Sequence, residues 1–284
     1  MQQKMNPRFS SPASSPERAL KDALHCGRRA YGTLVTSTSP KSLQAVAGLG
    51  LDCVFIDTEH IPMNWDHLGW MCHAYRGRGI VPIVRIPRAD PFEACRVLDM
   101  GAGGVVAAYV ETAEEVRRLR GATKLRPLKG RKLEAILEGG SVLAGELADY
   151  VEAANEDHLL LVNIESVAAI EALDEILDVP GLDGVLIGPH DLSCSLGIPE
   201  QYDHPAFGDA MLEIITKARA RNVGAGMHNL PEIEQEIRWG KAGMNLILHS
   251  SDVGLFRRAL HGSLSALRRG FEEEAPAVAT ALHI

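Results

Sequence analysis

Eight short apolar runs, separated by amphipathic stretches, constrain this chain more than any other feature. They fall at 32–36, 53–57, 81–85, 104–108, 159–164, 184–187, 223–227 and 244–249. Most are followed by a segment of helical period. One is 91–100, with Phe92, Cys95, Val97 and Leu98 apolar, and another is 167–177, with Val167, Ile170, Leu173, Ile176 and Leu177 on one face. Strand–helix alternation repeated in this way predicts an α/β protein whose parallel sheet closes into a (β/α)8 TIM barrel. Its 284 residues suit one such domain. The alternative is an open doubly wound sheet, but no G-x-G-x-x-G opens the first helix, which tells against a dinucleotide-binding form.

The polar, Ser/Pro-rich segment 1–17 reads as a disordered tail, 18–270 as the barrel and 271–284 as a second tail. A formal net charge of −8 tells against general binding to nucleic acid or anionic membrane. No signal peptide opens the chain and no apolar run reaches the ~18 residues of a membrane helix, so the cytoplasm is the expected location. The five cysteines form no C-x-x-C pair, which tells against zinc or redox use, and Cys53, Cys72 and Cys95 read as small buried hydrophobes. The stretch 122–158 is long for a loop. It carries Lys124, Arg126, Lys129, Arg131 and Lys132 and ends in a helical segment, 144–155. It is expected on the catalytic rim after the fourth strand, shaping the substrate mouth or a subunit contact. Its basic cluster reads as a solvated face or as a site for an anionic acceptor.

In a barrel, the carboxyl ends of the strands converge on the active site. Those ends carry Asp57 and His60, Arg85, Glu165, Asp191, His228 and His249. Glu165 and Asp191 lie 26 residues apart, one strand–helix–strand step. Two hard oxygen donors side by side suit a divalent cation such as magnesium or manganese. The plainer reading is that each caps a helix. Arg85 offers a permanent charge to a carboxylate or enolate oxygen, or else forms a structural salt bridge. Asp57 either orients His60 as an acid–base pair or caps a helix, and Glu59 reads as a surface charge. His190, His228 and His249 are candidate substrate contacts. The Gly188-Pro189 turn can present backbone N–H groups to a carboxylate. No lysine stands at a strand end, which tells against a Schiff-base mechanism.

The segments Phe55-Ile-Asp-Thr-Glu-His60, Pro82-Ile-Val-Arg-Ile-Pro87, Leu98-Asp-Met-Gly-Ala102, Val110-Glu-Thr-Ala-Glu-Glu115, Val162-Asn-Ile-Glu165 and Ile187-Gly-Pro-His-Asp-Leu-Ser193 together resemble the HpcH/HpaI-type class II pyruvate aldolases, of the 4-hydroxy-2-oxoheptanedioate and 2-dehydro-3-deoxy-aldarate aldolase kind. The likeness runs from about residue 32 to 260. It implies a barrel of the phosphoenolpyruvate/pyruvate type, with its last helix swapped between subunits of a homo-trimer or hexamer. It implies that Glu165 and Asp191 bind Mg²⁺, Mn²⁺ or Co²⁺, that Arg85 holds pyruvate and its enolate, and that His60 with Asp57 forms the acid–base dyad. Asp99 matches an acid given to a neighbouring subunit's site. Asn163, Gly188, Pro189, His190 and Arg131 are the implied substrate contacts, with pyruvate and an aldehyde as partners. Asn163 stands where glutamine is frequent, Leu34 for an aromatic, Ala108 for proline and His190 for a smaller residue. Two alternatives remain: an acyl-CoA lyase of the citrate lyase β type, and a non-catalytic ligand-binding paralogue.

Overall fold

The computed structural model describes residues 14–228 and 233–273. Eight strands, β1 (Ala30–Leu34), β2 (Cys53–Asp57), β3 (Val81–Ile86), β4 (Gly104–Ala107), β5 (Leu159–Ile164), β6 (Gly184–Ile187), β7 (Gly224–His228) and β8 (Leu246–Ser251), pair in parallel and in sequence order. β8 returns to β1, so the sheet is a closed barrel and not an open one. The alternating pleat gives two cores. Phe55, Ile83, Val106, Leu161, Leu186 and Leu248 fill the barrel, while Val54, Val84, Val105, Val162 and Val185 pack outward against helices. Each such side chain contributes about 1.5–3 kcal/mol by leaving water. Inside, Gly226 must stay small, because a Cβ there would lie 2.7 Å from Leu186 Cδ2 and 2.8 Å from the Leu246 carbonyl oxygen.

The helices are α1 (Pro16–Cys26), α2 (Pro40–Val46), α3 (Trp65–Arg76), α4 (Pro91–Asp99), α5 (Ala113–Lys124), α6 (Gly130–Leu137), α7 (Glu146–Asn155), α8 (Val167–Glu171), α9 (Leu173–Leu177), α10 (Pro189–Ser195), α11 (Pro205–Ala220), α12 (Ile233–Ala242) and α13 (Asp252–Gly270). The helix expected over 167–177 is two short helices that meet at Ala172. β1 begins two residues before the apolar run at 32–36. Its Tyr31 faces outward and stays half exposed, so it leaves no burial signal in the sequence. Among the described residues no helix is long and apolar enough to cross a membrane.

α1 closes the amino-terminal mouth of the barrel, with Leu20 and Leu24 in the inner core. The expected tail therefore overreaches. Ser15 caps α1 by accepting from the Arg18 N–H at 3.0 Å, and Glu17 is buried against Arg76 at 2.7 Å. Residues 1–13 and 274–284 of the two expected tails lie outside the described residues. Beneath α1, the fully buried Asp183 accepts from the Leu160 N–H at 2.8 Å and pairs with Lys124 and with His25. Burial pushes this acid upward, but these partners more than offset it and hold it below the usual carboxylate range.

The 122–158 stretch lies at this same end, which corrects the expected position on the catalytic rim. It follows α5, and a helix after a strand carries the chain back to the strands' amino ends. α6 and α7 form there. Asn155 donates to the Arg126 carbonyl at 2.7 Å, Lys21 donates to the Glu156 carbonyl at 2.9 Å, and Ser15 donates to Asp157 at 2.7 Å, all next to α1. α13 differs from every other long helix in burying none of its residues. Val253, Phe256, Leu260, Leu264, Leu267 and Phe271 recur along it at helical spacing and stay exposed. Between α12 and the outer face of β1 and β8 lies a cavity of about 580 Å³, lined by Tyr31, Ile233, Ile237, Ile247 and His249 among others.

The Asp183 cluster generates a stability prediction. Asp183→Ala leaves the Lys124 ammonium buried without its partner, and should cost about 3–5 kcal/mol in urea unfolding. Asp183→Ala with Lys124→Met should recover most of that loss. A single variant within about 1 kcal/mol of the parent would contradict the assignment.

Candidate active site

At the carboxyl ends of the strands the barrel interior turns polar. Asp57 and Arg85 are opposite each other in the β2–β3 register. Both are nearly inaccessible, at 2% and 5% exposure. Arg85 Nε donates to Asp57 Oδ1 at 2.8 Å and Nη2 to Oδ2 at 2.7 Å, a two-pronged charge-assisted pair. Burial pushes the Asp57 acid up, but the Arg85 fork and charge outweigh it and hold the carboxyl below its ordinary range. Burial likewise opposes the guanidinium charge, and the carboxylates around it restore and strengthen that charge.

This pairing corrects the expected Asp57–His60 dyad. Asp57 meets His60 only through the backbone, accepting from the N–H of Glu59 at 3.0 Å and of His60 at 3.3 Å. It caps no helix, since Asn64 is the N-cap of α3. The His60 ring is more than half exposed, and its Nε2 lies 3.6 Å from Glu59 Oε2. Glu59 is thus no surface charge. Its carboxylate also sits 3.1 Å from Arg85 Nη1, bridging cation and imidazole, and burial first of all pushes its proton affinity upward. The sequence marks Glu59 only by its place between two strand-end residues.

Glu165 is 2% exposed just past β5. It accepts from the Tyr109 N–H at 2.7 Å and from Asn163 Nδ2 at 2.9 Å. Helix capping does not explain it, because Ser166 caps α8. Burial raises its acid to about 7, with Asp191 and Glu59 adding repulsion against the two hydrogen bonds. Tyr109 presents its N–H from a left-handed backbone, φ 52°. That conformation is uncommon for tyrosine, so nothing in the sequence marks the contact. Gly188 faces the same carboxylate. A Cβ there would fall 2.1 Å from Glu165 Oε2, so only glycine leaves the acid its place.

Asp191 stands half exposed in the first turn of α10, whose N-cap is Gly188, so it is no helix cap either. Pro189 is buried at the start of that helix. His190 is exposed, with Nδ1 3.7 Å from Asp191 and Nε2 3.9 Å from Glu200. The Asn163 Oδ1 atom is buried and has no hydrogen-bond partner among the described residues. His249 is drawn to the outer layer, with Nδ1 2.9 Å from Glu236 of α12. Asp99 and Arg131 are not brought to this mouth within one chain. Asp99 ends α4 and pairs with Arg126, and Arg131 lies on α6, both at the far end of the barrel.

Hard carboxylate oxygens from Glu165 and Asp191, with Glu59 near enough to repel them, fit a divalent cation that replaces the Glu165 proton. No group of three or more candidate metal-ligating side chains occurs among the described residues. A cation at this pair would therefore take its remaining contacts from substrate and water, as magnesium-type ions do. Arg85 spends two of its five N–H donors on Asp57, makes only an ion contact with Glu59, and keeps three for a ligand.

A relative named 2-keto-3-deoxy-L-rhamnonate aldolase, from Salmonella gallinarum (strain 287/91 / NCTC 13346), is 32% identical over 266 residues, covering 93% of this chain and 96% of that one. The crystal structure of the citrate synthase SbnG superposes with a TM-score of 0.76 at 30% identity, covering 89% of this chain and 99% of the other. That of an HpcH/HpaI aldolase from Desulfitobacterium hafniense DCB-2 gives 0.75 at 27% identity, covering 90% and 97%. The family model for HpcH/HpaI aldolase/citrate lyase matches residues 31–259. With its closed barrel and its strand-end acids and arginine, the chain belongs to the HpcH/HpaI aldolase/citrate lyase family.

Proposed function

We propose that this carbon–carbon lyase is a divalent-metal-dependent pyruvate aldolase, cleaving a 4-hydroxy-2-oxo acid reversibly to pyruvate and an aldehyde. The observation that carries this reading is one permanently charged guanidinium facing a buried, acid-crowded carboxyl across a single barrel mouth. The aldolase relative supports a 2-keto-3-deoxy sugar acid as the substrate class.

Glu165 and Asp191 would hold the ion, Mg²⁺, Mn²⁺ or Co²⁺. When bound, it supplies Lewis-acid stabilisation to the charge on the keto acid's oxygens. The free donors of Arg85 bind the same oxygens and contribute several kcal/mol as negative charge grows there. His60, oriented by Glu59, takes the C4 hydroxyl proton. The C3–C4 bond breaks and C4 becomes the aldehyde carbonyl. The released pair forms the C2–C3 double bond, and the C2 carbonyl pair moves onto oxygen, giving the enolate. C3 then takes the proton back from the His60 imidazolium, which yields pyruvate and restores the base. Oxaloacetate decarboxylation passes through the same enolate and is an expected side activity. The likeness to a citrate synthase favours a second reading, chemistry on an acyl-CoA ester.

The bare stripe on α13 and the open face of β1 and β8 support the exchange of α13 between copies in a homo-oligomer.

EDTA-stripped protein should release pyruvate from 2-keto-3-deoxy sugar acids only after Mg²⁺, Mn²⁺ or Co²⁺ is restored. Arg85→Lys should lower kcat/KM by roughly a hundredfold or more. Turnover confined to CoA esters would move the assignment to the second reading. Full activity in a Glu165→Gln, Asp191→Asn double variant would exclude both.

The acid at Glu165 also gives a pH signature. Its affinity is raised from 4.5 to about 7, so the folded, metal-free state binds more protons than the unfolded one between those values. Stability should therefore fall as pH rises from about 4.5 to about 7, then level off. Glu165→Gln should raise the Tm of metal-free protein at pH 8 by about 5 °C and leave it unchanged at pH 4. Divalent cation should raise the Tm of the parent and not of the variant.

For α13, Phe256→Asp with Leu260→Asp should shift sedimentation velocity to a smaller species with an intact far-ultraviolet circular dichroism spectrum. An unchanged sedimentation coefficient would refute the exchange.

A further inference from the structure

His228 closes β7 and takes no part in the chemistry described above. Its ring stacks on Phe55, with centroids 5.3 Å apart and planes inclined by 18°. The Arg85 guanidinium carbon lies 5.5 Å from the same Phe55 ring centroid. Imidazole and guanidinium thus share one aromatic platform inside the barrel mouth. The Nε2 atom of His228 is buried and has no hydrogen-bond partner among the described residues. A buried polar atom left this way is costly, and stacking alone does not account for an imidazole where phenylalanine or leucine would fill the space.

Two features say what the atom is for. Burial, helped by the Arg85 charge and opposed by Asp57, pushes the imidazolium down to about 3, so the ring is neutral throughout the working range. A neutral imidazole has one N–H and one lone pair, and cannot neutralise an enolate oxygen by handing over a strong acid's proton. On the aldolase reading, Arg85, which shares the Phe55 ring with His228, holds the keto acid's oxygens. A neutral N–H beside that cation is a donor that strengthens as charge develops on the oxygen, and such a donor favours the transition state over the bound substrate.

We propose that His228 is a further catalytic residue: its neutral ring donates a hydrogen bond from Nε2 to the C2 oxygen of the keto acid held by Arg85. This rests on the aldolase reading and adds a group to it. It selects the tautomer with the proton on Nε2 and makes the fit depend on a C2 oxygen able to accept beside the guanidinium.

The test uses full-length protein loaded with Mn²⁺ or Mg²⁺ and two readouts. One is exchange of pyruvate methyl protons with D₂O, which reports enolisation without carbon–carbon cleavage. The other is release of pyruvate from a 2-keto-3-deoxy sugar acid. His228→Leu should slow both rates by roughly a hundredfold with KM changed less than threefold, and His228→Asn, whose amide can donate, should regain at least tenfold over leucine. In parent protein with ¹⁵N-labelled histidine, oxalate in place of the enolate should shift the Nε2–H correlation of His228 downfield, a result independent of how any variant folds. Rates within threefold of the parent in a folded leucine variant, a loss confined to KM, asparagine no better than leucine, or an unmoved Nε2–H signal would each overturn the role of His228 alone. A parent protein that neither exchanges pyruvate nor cleaves any keto acid would overturn the aldolase reading and this role with it.

Discussion

Arg85 is gripped by both oxygens of Asp57 and touched by Glu59, and the barrel mouth is organised around that one buried cation. A guanidinium at 5% exposure is tolerable only when its charge is matched, and the β2–β3 register supplies the match by putting Asp57 opposite it. Glu165 has its affinity for a proton raised, first by burial and then by the neighbouring acids Asp191 and Glu59, and is supported by a backbone N–H and an amide. The mouth is a surplus of carboxylates around one guanidinium, a distribution suited to a cation and to a substrate that brings its own negative charge between the two.

The barrel itself was largely legible in the sequence. The limits of β2, β5 and β6 coincide with the apolar runs at 53–57, 159–164 and 184–187, because each is buried on both faces and flanked by polar residues. Positions at the strand ends were legible for the same reason. Partners were not. Sequence proximity pairs Asp57 with His60, three residues on, while its side-chain partner Arg85 is a neighbour only through the sheet. Glu59 looked solvated because sequence says nothing about how a short loop folds back over a strand end. Tyr109 was invisible, since its contribution is a backbone N–H from a positive φ. The 122–158 stretch follows β4 in sequence but lies at the opposite end, because α5 carries the chain back before it begins.

The two ends of the barrel use charge differently. At the amino-terminal end, Asp183 is satisfied by Lys124, His25 and the Leu160 N–H, and its acid is held down. At the other end Glu165 has its acid pushed up, Asn163 Oδ1 and His228 Nε2 lack partners, and His60 is open to solvent. A satisfied acid such as Asp183 rigidifies its surroundings, whereas the unpartnered groups around Glu165 leave room for a ligand. The stable plug below thus gives the less stable mouth a fixed frame.

Asn245, at the threshold of β8, reaches back across the whole chain. Its amide donates to the carbonyls of Ala23, Leu24 and Arg28, joining segments 217–222 residues apart. Loop closure over such a span is entropically slow and comes late in folding. On the ribosome, α1 emerges long before β8, whose neighbour Asn245 ties down the carboxyl end of α1 beside Leu20 and Leu24. For most of synthesis the nascent chain therefore carries an unsealed barrel, and its exposure to aggregation is set by the time needed to translate the distance between those two partners.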